Sequence, residues 1–312
     1  MTQPIRLVPT YKEMIWGGDS LRTYFGREIP SNLTGESWEV HSDNLIVGTH
    51  KRLADIAQDV GLMGEKIAKL ATFPLLVKLI TAQDDLSIQV HPDDVYAQRV
   101  EGKPYGKTEC WYILDAPENA ELIIGVKPDI THTDQLRRLL EQGDILSGLN
   151  YLPVKKGDFI YIPAGTVHAI TKGITILEVQ QTSDITYRLF DYNRRDTAGN
   201  LRELHVDKSM DVIVLGHTDN PLTGTAHGAE TTLIANDFFT VKKYALEGVV
   251  SMNLPQDSAS IMACTAGTVA LTYGEYKETL AYGDTLILPV GVATCTVASA
   301  ESEASALILA HL

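Results

Sequence analysis

Gln89 and His91 stand two residues apart in Ser87-Ile88-Gln89-Val90-His91-Pro92-Asp93-Asp94. On an extended strand that spacing sends both side chains off the same face. Two further segments carry ligand chemistry. Glu109 opens the apolar run Glu109-Cys110-Trp111, and His168 closes Ile162-Pro163-Ala164-Gly165-Thr166-Val167-His168. One amide oxygen, two imidazoles and one carboxylate form a donor set for Zn²⁺ or a similar divalent metal, with room left for a substrate. A lone histidine is more often a surface or hydrogen-bonded residue than a ligand. The combination points to a metal, because an unpaired carboxylate at an apolar strand start is costly and a cation offsets that cost.

Other charged residues extend the chemistry. Lys78 lies inside Pro74-Leu75-Leu76-Val77-Lys78-Leu79-Ile80, where an ammonium needs either solvent at a sheet edge or an anion. Lys107 is two positions from Glu109 and on the same strand face, unless it is a solvated turn residue. Glu178, in Ile176-Leu177-Glu178-Val179, is a second carboxylate in an apolar run, equally well explained by a structural salt bridge. Arg188, in Ile185-Thr186-Tyr187-Arg188-Leu189-Phe190, is half of an ion pair or a binder of phosphate or an oxyanion. Arg194 and Arg195 follow, where solvation is the ordinary state. His41, His50, His132, His205, His217, His227 and His311 have no partner at ligand spacing. Neither a phosphate-binding glycine loop nor a Ser-His-Asp pattern occurs.

The elements that must hold these groups read mainly as strands. Residues 74–80, 86–90, 158–163, 174–179 and 185–190 are strand-like, and 109–114 with 121–126 predict a hairpin around Ala116-Pro117-Glu118-Asn119. Residues 52–70 predict a helix with Leu53, Ile56, Val60, Ile67 and Leu70 as its apolar stripe, interrupted near Gly61 and Gly64. Asp93 caps a short helix, and a further helix over 135–142 stops at Gly143. Residues 1–50 read as irregular with strand-like pieces. From Thr231 onward the chain is almost wholly strand and turn. Many short strands, Gly/Pro turns and few helices predict an all-β chain of sandwich or barrel domains, in which inward residues of neighbouring strands converge.

The segment Gly157-Asp158-Phe159-Ile160-Tyr161-Ile162-Pro163 recurs as Gly283-Asp284-Thr285-Leu286-Ile287-Leu288-Pro289. Overlaying the two puts Thr294 where His168 stands, which predicts two β-domains of related design with ligands only in the first. The expected division is a catalytic domain over 1–215 with helical insertions at about 52–70 and 131–149, a linker over 216–230, and a second β-domain over 231–312.

The 312 residues carry a net charge of −14, which argues against nucleic acid or an anionic membrane as partner. A small basic pocket can still take an anionic substrate. There is no apolar run of about 18 residues that would span a membrane. Met1-Thr2-Gln3-Pro4 does not open a signal peptide. Cys110, Cys264 and Cys295, odd in number and widely spaced, fit reduced thiols in a cytoplasmic protein. A monomer or homodimer acting on a small molecule is expected.

Five segments, in order, resemble the short bacterial form of the type I, zinc-dependent mannose-6-phosphate (phosphomannose) isomerases. They are Phe73-Pro74-Leu75-Leu76-Val77-Lys78, Leu86-Ser87-Ile88-Gln89-Val90-His91-Pro92-Asp93, Lys107-Thr108-Glu109, Pro163-Ala164-Gly165-Thr166-Val167-His168-Ala169, and Glu178-Val179-Gln180-Gln181-Thr182-Ser183-Asp184-Ile185-Thr186-Tyr187-Arg188. The resemblance runs from about Pro9 to the C-terminus and is strongest from Phe73 to Arg195. It implies tandem cupin domains, that is double-stranded β-helix (jelly-roll) domains, with a small helical insert. It implies one Zn²⁺ per chain held by Gln89, His91, Glu109 and His168. It also implies a catalytic arginine at Arg188, with Lys78, Lys107 and Glu178 lining the pocket. The implied reaction is the reversible aldose–ketose isomerisation of D-mannose 6-phosphate and D-fructose 6-phosphate through an enediol(ate).

Larger members carry a long helical domain, to which only residues 131–149 could correspond here, and a lysine six residues after the arginine, where this chain has Arg194. Lys78 and Arg194 are candidate phosphate partners. Glu178, Lys107 and a zinc-bound water all stand as candidates for the general base. Two readings compete with the isomerase. Another metal-dependent cupin enzyme, such as an oxygenase, would more often set two histidines and one carboxylate on iron, which leaves Gln89 and the lysines unexplained. A non-catalytic sugar-binding cupin leaves Glu109, Lys107 and Arg188 without a task.

Overall fold

Short strands with in–out alternation build the unit made of Tyr11–Glu36 and Ile80–Leu222. A second unit comprises Met1–Thr10, Ser37–Leu79 and Thr223–Leu312. The computed structural model describes residues 3–196, 198–216, 222, 224–301 and 304–312.

Eleven strands come first: β1 (Thr10–Gly18), β2 (Thr34–Val40), β3 (Leu75–Thr81), β4 (Ile88–Val90), β5 (Glu109–Asp115), β6 (Glu121–Val126), β7 (Leu149–Pro153), β8 (Phe159–Ile162), β9 (His168–Ala169), β10 (Thr175–Gln181) and β11 (Tyr187–Phe190). They form a six-stranded sheet of order β1-β2-β3-β10-β5-β8 and a five-stranded sheet of order β11-β4-β9-β6-β7. The chain passes from one unit to the other within β2 and again within β3.

Between the two sheets, Trp111, Ile113, Ile160, Ile162 and Ile176 bury against Leu122, Ile124 and Leu152. The outer face of the five-stranded sheet buries Ile88, Val90, Ile123, Val167, Ala169, Tyr187 and Leu189 against Tyr96, Leu136 and Ile145. Each fully buried side chain of this size contributes about 1.5–3 kcal/mol. The register of both faces is therefore strongly fixed, since a one-residue slip would exchange them.

Three expectations need correction. The segments 109–114 and 121–126 do not form a hairpin: β5 joins the six-stranded sheet and β6 the five-stranded one. The turn residues between them, including Asn119 at φ 60°, carry the chain from one layer to the other. Residues 1–50 are less irregular than they read, because they contain all of β1 and β2. Residues 52–70 are not one helix. A 3₁₀ turn over Leu53–Asp55 precedes a helix over Val60–Ala68, which Asp59 caps by accepting from the Gly61 amide at 2.9 Å. Within that helix Gly64 adopts φ 78°, and a Cβ there would lie 2.5 Å from the Asp257 carbonyl carbon.

Other helical expectations are met. Asp93 accepts from the Tyr96 amide at 2.8 Å and caps Asp94–Tyr96. Thr133–Glu141 is a helix followed by Gly143 at φ 74°. Among the described residues, no helix is long and apolar enough to cross a membrane.

The second unit holds ten further strands: β12 (Thr225–His227), β13 (Glu230–Ala235), β14 (Thr240–Leu246), β15 (Val249–Asn253), β16 (Ser260–Ala266), β17 (Val269–Tyr273), β18 (Tyr276–Leu280), β19 (Thr285–Leu288), β20 (Thr294–Ser299) and β21 (Ser305–His311). Their sheets run β12-β13-β14-β21-β16-β19 and β15-β20-β17-β18. The segment read as a linker over 216–230 already contains β12, paired through His227↔Glu230 across a tight turn with Gly228 at φ 62°. Residues 217–221 and 223 of that segment lie outside the described residues.

The internal echo is structural. β8 and β19 each close one edge of a six-stranded sheet. The Gly157 amide donates to Ile113 O and the Ile113 amide to Asp158 O, both at 2.9 Å. Gly283, Cys264 and Asp284 repeat the same exchange at the same distances. Asp158 and Asp284 each cap their turn by accepting from the amide three residues back.

Candidate metal centre

The alternation described above delivers the candidate ligands. Ile88 and Val90 face the helical side, so Gln89 faces the interior. Val167 and Ala169 do the same for His168, and Tyr187 and Leu189 for Arg188. Strand pairing then sets Gln89 opposite both His168 and Arg188. On the other sheet, Trp111 and Ile176 belong to the interior core, which turns Glu109 and Glu178 inward by the period of two. The register pairs Glu178 with Trp111 and Gln180 with Glu109.

His91, Glu109 and His168 present ligand atoms within 4.8 Å of one another, and all three are buried. The Glu109 Oε1 lies 3.3 Å from His168 Nε2, and its Oε2 lies 3.8 Å from His91 Nε2. Each outer ring nitrogen is tied to the backbone. His91 Nδ1 donates to Ile185 O and His168 Nδ1 to Thr166 O, both at 2.9 Å. Those bonds select the tautomer that leaves each Nε2 lone pair pointing at the carboxylate, as a metal-binding histidine requires. Burial, with Lys107 adding, pushes His168 down to about 3, so its ring is neutral near pH 7.

Burial pushes the Glu109 carboxyl up to about 8; Glu178 adds to this and Lys107 opposes it. Both Glu109 oxygens are sealed from solvent, and a single ammonium, Lys107 Nζ at 2.6 Å from Oε2, meets them among the described residues. A divalent cation satisfies such a group and reverses the effect of burial. The residues therefore fit a metal ion. Gln89 places its amide 3.3 Å from His168 Nε2, and turning the amide over presents its oxygen to the same point.

Lys107 is buried beside this group. Its Nζ lies 2.6 Å from Glu109 Oε2, 3.0 Å from His91 Nε2 and 3.9 Å from Glu178 Oε1. It is thus no solvated turn residue. The Trp111 indole donates to Glu178 Oε1 at 3.1 Å and fixes that carboxylate. Arg188 is half-buried, and burial followed by the charge of Arg202 lowers its pKa. Its Nη1 donates to Glu203 O at 2.8 Å, while its buried Nε has no partner.

Arg194 is not solvated either. Its Nη2 meets Asp191 Oδ1 and its Nη1 meets Asp85 O, both at 2.5 Å. Arg195 donates to Gly199 O at 2.7 Å on an exposed turn. Lys78 sits on β3 in the second unit, buried, with its ammonium 5.5 Å from the Trp38 ring centroid.

Several supporting residues were missed by sequence reasoning. Gln181 accepts from the Thr108 amide at 2.8 Å and donates to Asp94 at 2.9 Å, which straps the Lys107–Glu109 segment in place. Trp111 could have been found from its position two residues after Glu109, on the same face. Asp191 and Arg202 carried no signal beyond their charge.

Comparison with known proteins agrees with this geometry. Residues 5–132 match the family model of the phosphomannose isomerase type I catalytic domain, and residues 229–306 match that of the mannose-6-phosphate isomerase cupin domain. The mannose-6-phosphate isomerase of Streptococcus mutans is 42% identical over 302 residues, 93% of each chain. A mannose-6-phosphate isomerase of Bacillus subtilis is 39% identical over 310 residues, 93% of this chain and 94% of its own. The crystal structure of the mannose 6-phosphate isomerase from Bacillus subtilis superposes with a TM-score of 0.90 at 35% identity, covering 100% of both chains. Two-sheet antiparallel units, a buried His-Glu-His group and these matches together place the chain in the type I mannose-6-phosphate isomerase family, an enzyme family of tandem cupin fold.

Proposed function

We propose that the chain interconverts D-mannose 6-phosphate and D-fructose 6-phosphate with one zinc ion held by Gln89, His91, Glu109 and His168. The observation that carries this reading is the sealed Glu109 carboxylate facing two Nε2 atoms whose rings are already locked by backbone carbonyls. Two nitrogens and carboxylate and amide oxygens, with no thiolate, suit zinc. When bound, the ion supplies Lewis acidity that stabilises negative charge on the sugar's oxygens.

The chain's own residues account for the proton. Aldose–ketose isomerisation moves a proton between C2 and C1 of the open-chain sugar, so a base must lie beside the bound carbon. Lys107 and Glu178, 3.9 Å apart and buried, are the pair we assign to it. The Trp111 indole holds Glu178 by its Oε1. Arg188, with its Nε unpartnered and its Nη1 held by the Glu203 carbonyl, offers donors to a developing oxyanion or to the phosphate. The remote phosphate would supply binding energy that orients the sugar. The intact Lys107, Glu178 and Arg188 favour this reading over a non-catalytic sugar binder. The absence of any disulfide among the buried thiols of Cys110, Cys264 and Cys295 is in keeping with a cytoplasmic site of action.

Coupled assays of fructose 6-phosphate formation from mannose 6-phosphate, and of fructose formation from mannose, test the assignment. Conversion of mannose 6-phosphate, and at most slow conversion of unphosphorylated mannose, is expected. Metal-bound protein that turns over neither sugar would remove the proposal.

A further inference from the structure

Asp191 gathers two guanidinium groups on one buried carboxylate. Arg202 reaches it with two donors: Nε meets Oδ2 at 2.6 Å, and Nη2 meets Oδ1. Arg194 adds Nη2 to Oδ1 at 2.5 Å and Nε to the Asp191 carbonyl at 3.3 Å. Asp191 is the residue after β11, three positions beyond Arg188. Arg202 returns from a turn that is closed by the Arg195↔Leu201 bridge. The next residue, Glu203, gives its carbonyl to Arg188 Nη1 at 2.8 Å. Two residues further on, the His205 amide donates to Arg188 O at 2.8 Å, and the Arg188 amide meets His205 Nδ1 at 3.3 Å. The segment 202–205 therefore runs alongside Arg188 and is pinned at its start by the Asp191–Arg202 fork.

A fork of two parallel N–H···O contacts fixes direction as well as distance, which a single lysine contact does not. We infer that Arg202, through its bidentate pair with Asp191, is a positioning residue that aims the Arg188 guanidinium at the reacting sugar by fixing the Glu203 carbonyl that holds it. The inference rests on the proposed catalytic role of Arg188. Arg202 itself touches no metal-ligating residue, and its side chain remains 23% exposed.

The test is a double-mutant cycle on the metal-loaded full chain, reading kcat, KM and bound zinc. Arg202→Gln is expected to lower kcat by about 10-fold or more, with zinc content unchanged and a smaller change in KM. Arg202→Lys, which keeps the charge but loses the fork, is expected to recover only part of that loss. In an Arg188→Ala background, Arg202→Gln is expected to change kcat by less than about twofold, because the group it positions is gone. Equal losses in both backgrounds would assign Arg202 a merely structural role and overturn the inference. So would full turnover by Arg202→Gln while Arg188→Ala is inactive. Unchanged turnover by Arg188→Ala would instead sink the catalytic reading of Arg188, and this inference with it. Should Arg202→Gln fail to fold, Arg202→Lys completes the same cycle with the same criteria.

Discussion

Lys107 faces two carboxylates and an imidazole in the buried interior, and such a cation is not there for solubility. Its charge offsets Glu109 and lies close to Glu178. If these two residues handle the proton, Glu178→Gln should lose about 10²–10⁴-fold in kcat, the usual contribution of a positioned acid or base, while zinc content stays at wild-type level. A variant with intact turnover would move the proton to another group. Arg188→Ala should likewise lose most of kcat and keep its zinc, as read by metal analysis beside the assay. The candidate ligands were legible because spacing and chemistry coincide at Gln89 and His91. Residues that support the site from further out, such as Gln181 beneath the Lys107–Glu109 segment and Asp191 beside Arg202, were not. Their partners lie 73 residues away in one case and on the far side of a turn in the other.

At the scale of strands and loops, the site depends on how closely β4 and β5 approach at their ends. Gly106 packs on the backbone just past His91: a Cβ there would lie 2.4 Å from Pro92 O and 2.3 Å from Asp93 C. The Lys107 amide donates to the same Pro92 carbonyl at 3.0 Å. Gly106→Ala must therefore push the Lys107–Glu109 segment away from His91. Overpacking of this kind costs about 1–3 kcal/mol. The expected result is a lower urea midpoint together with weaker zinc retention; a variant that keeps both would show the approach to be slack. The inward placement of Gln89, His168, Glu178 and Arg188 follows from the apolar neighbours that bracket them, and of these the same-face reading of Gln89 with His91 was the one that spacing alone gave. The false hairpin at 109–126 shows the limit of such reading. Local turn chemistry marks where the chain reverses, but not which of two sheets the next strand joins.

At the scale of the molecule, the repeated Gly-Asp turn was legible, and the paired hydrogen bonds at Gly157 and Gly283 explain why: the same turn closes the same sheet edge twice. The interleaving of the two units through β2 and β3 left no trace in the sequence, since it depends on long-range pairing.

Acid sensitivity belongs to this scale. Burial alone would raise the Asp191 carboxyl, but hydrogen bonds and charge from Arg202 and Arg194 together hold it below its ordinary value. Stability from a lowered carboxyl is complete above the unfolded pKa of about 3.9 and is lost as pH falls through the folded one. Asp191→Asn should thus be less stable than wild type by about 1–3 kcal/mol at pH 6, and the gap should narrow towards pH 3 in urea unfolding. A gap independent of pH would contradict the ion-pair account.

Metal removal acts on the whole chain as well. Zinc held at about 100 times its Kd adds about 2.7 kcal/mol, so chelation should lower Tm by roughly 5 °C or more. The most direct test of the central claim is titration of zinc into chelator-stripped protein while mannose 6-phosphate turnover is followed. Activity should rise from near zero and level off at one zinc per chain. Full turnover by protein shown to contain no metal would contradict the account.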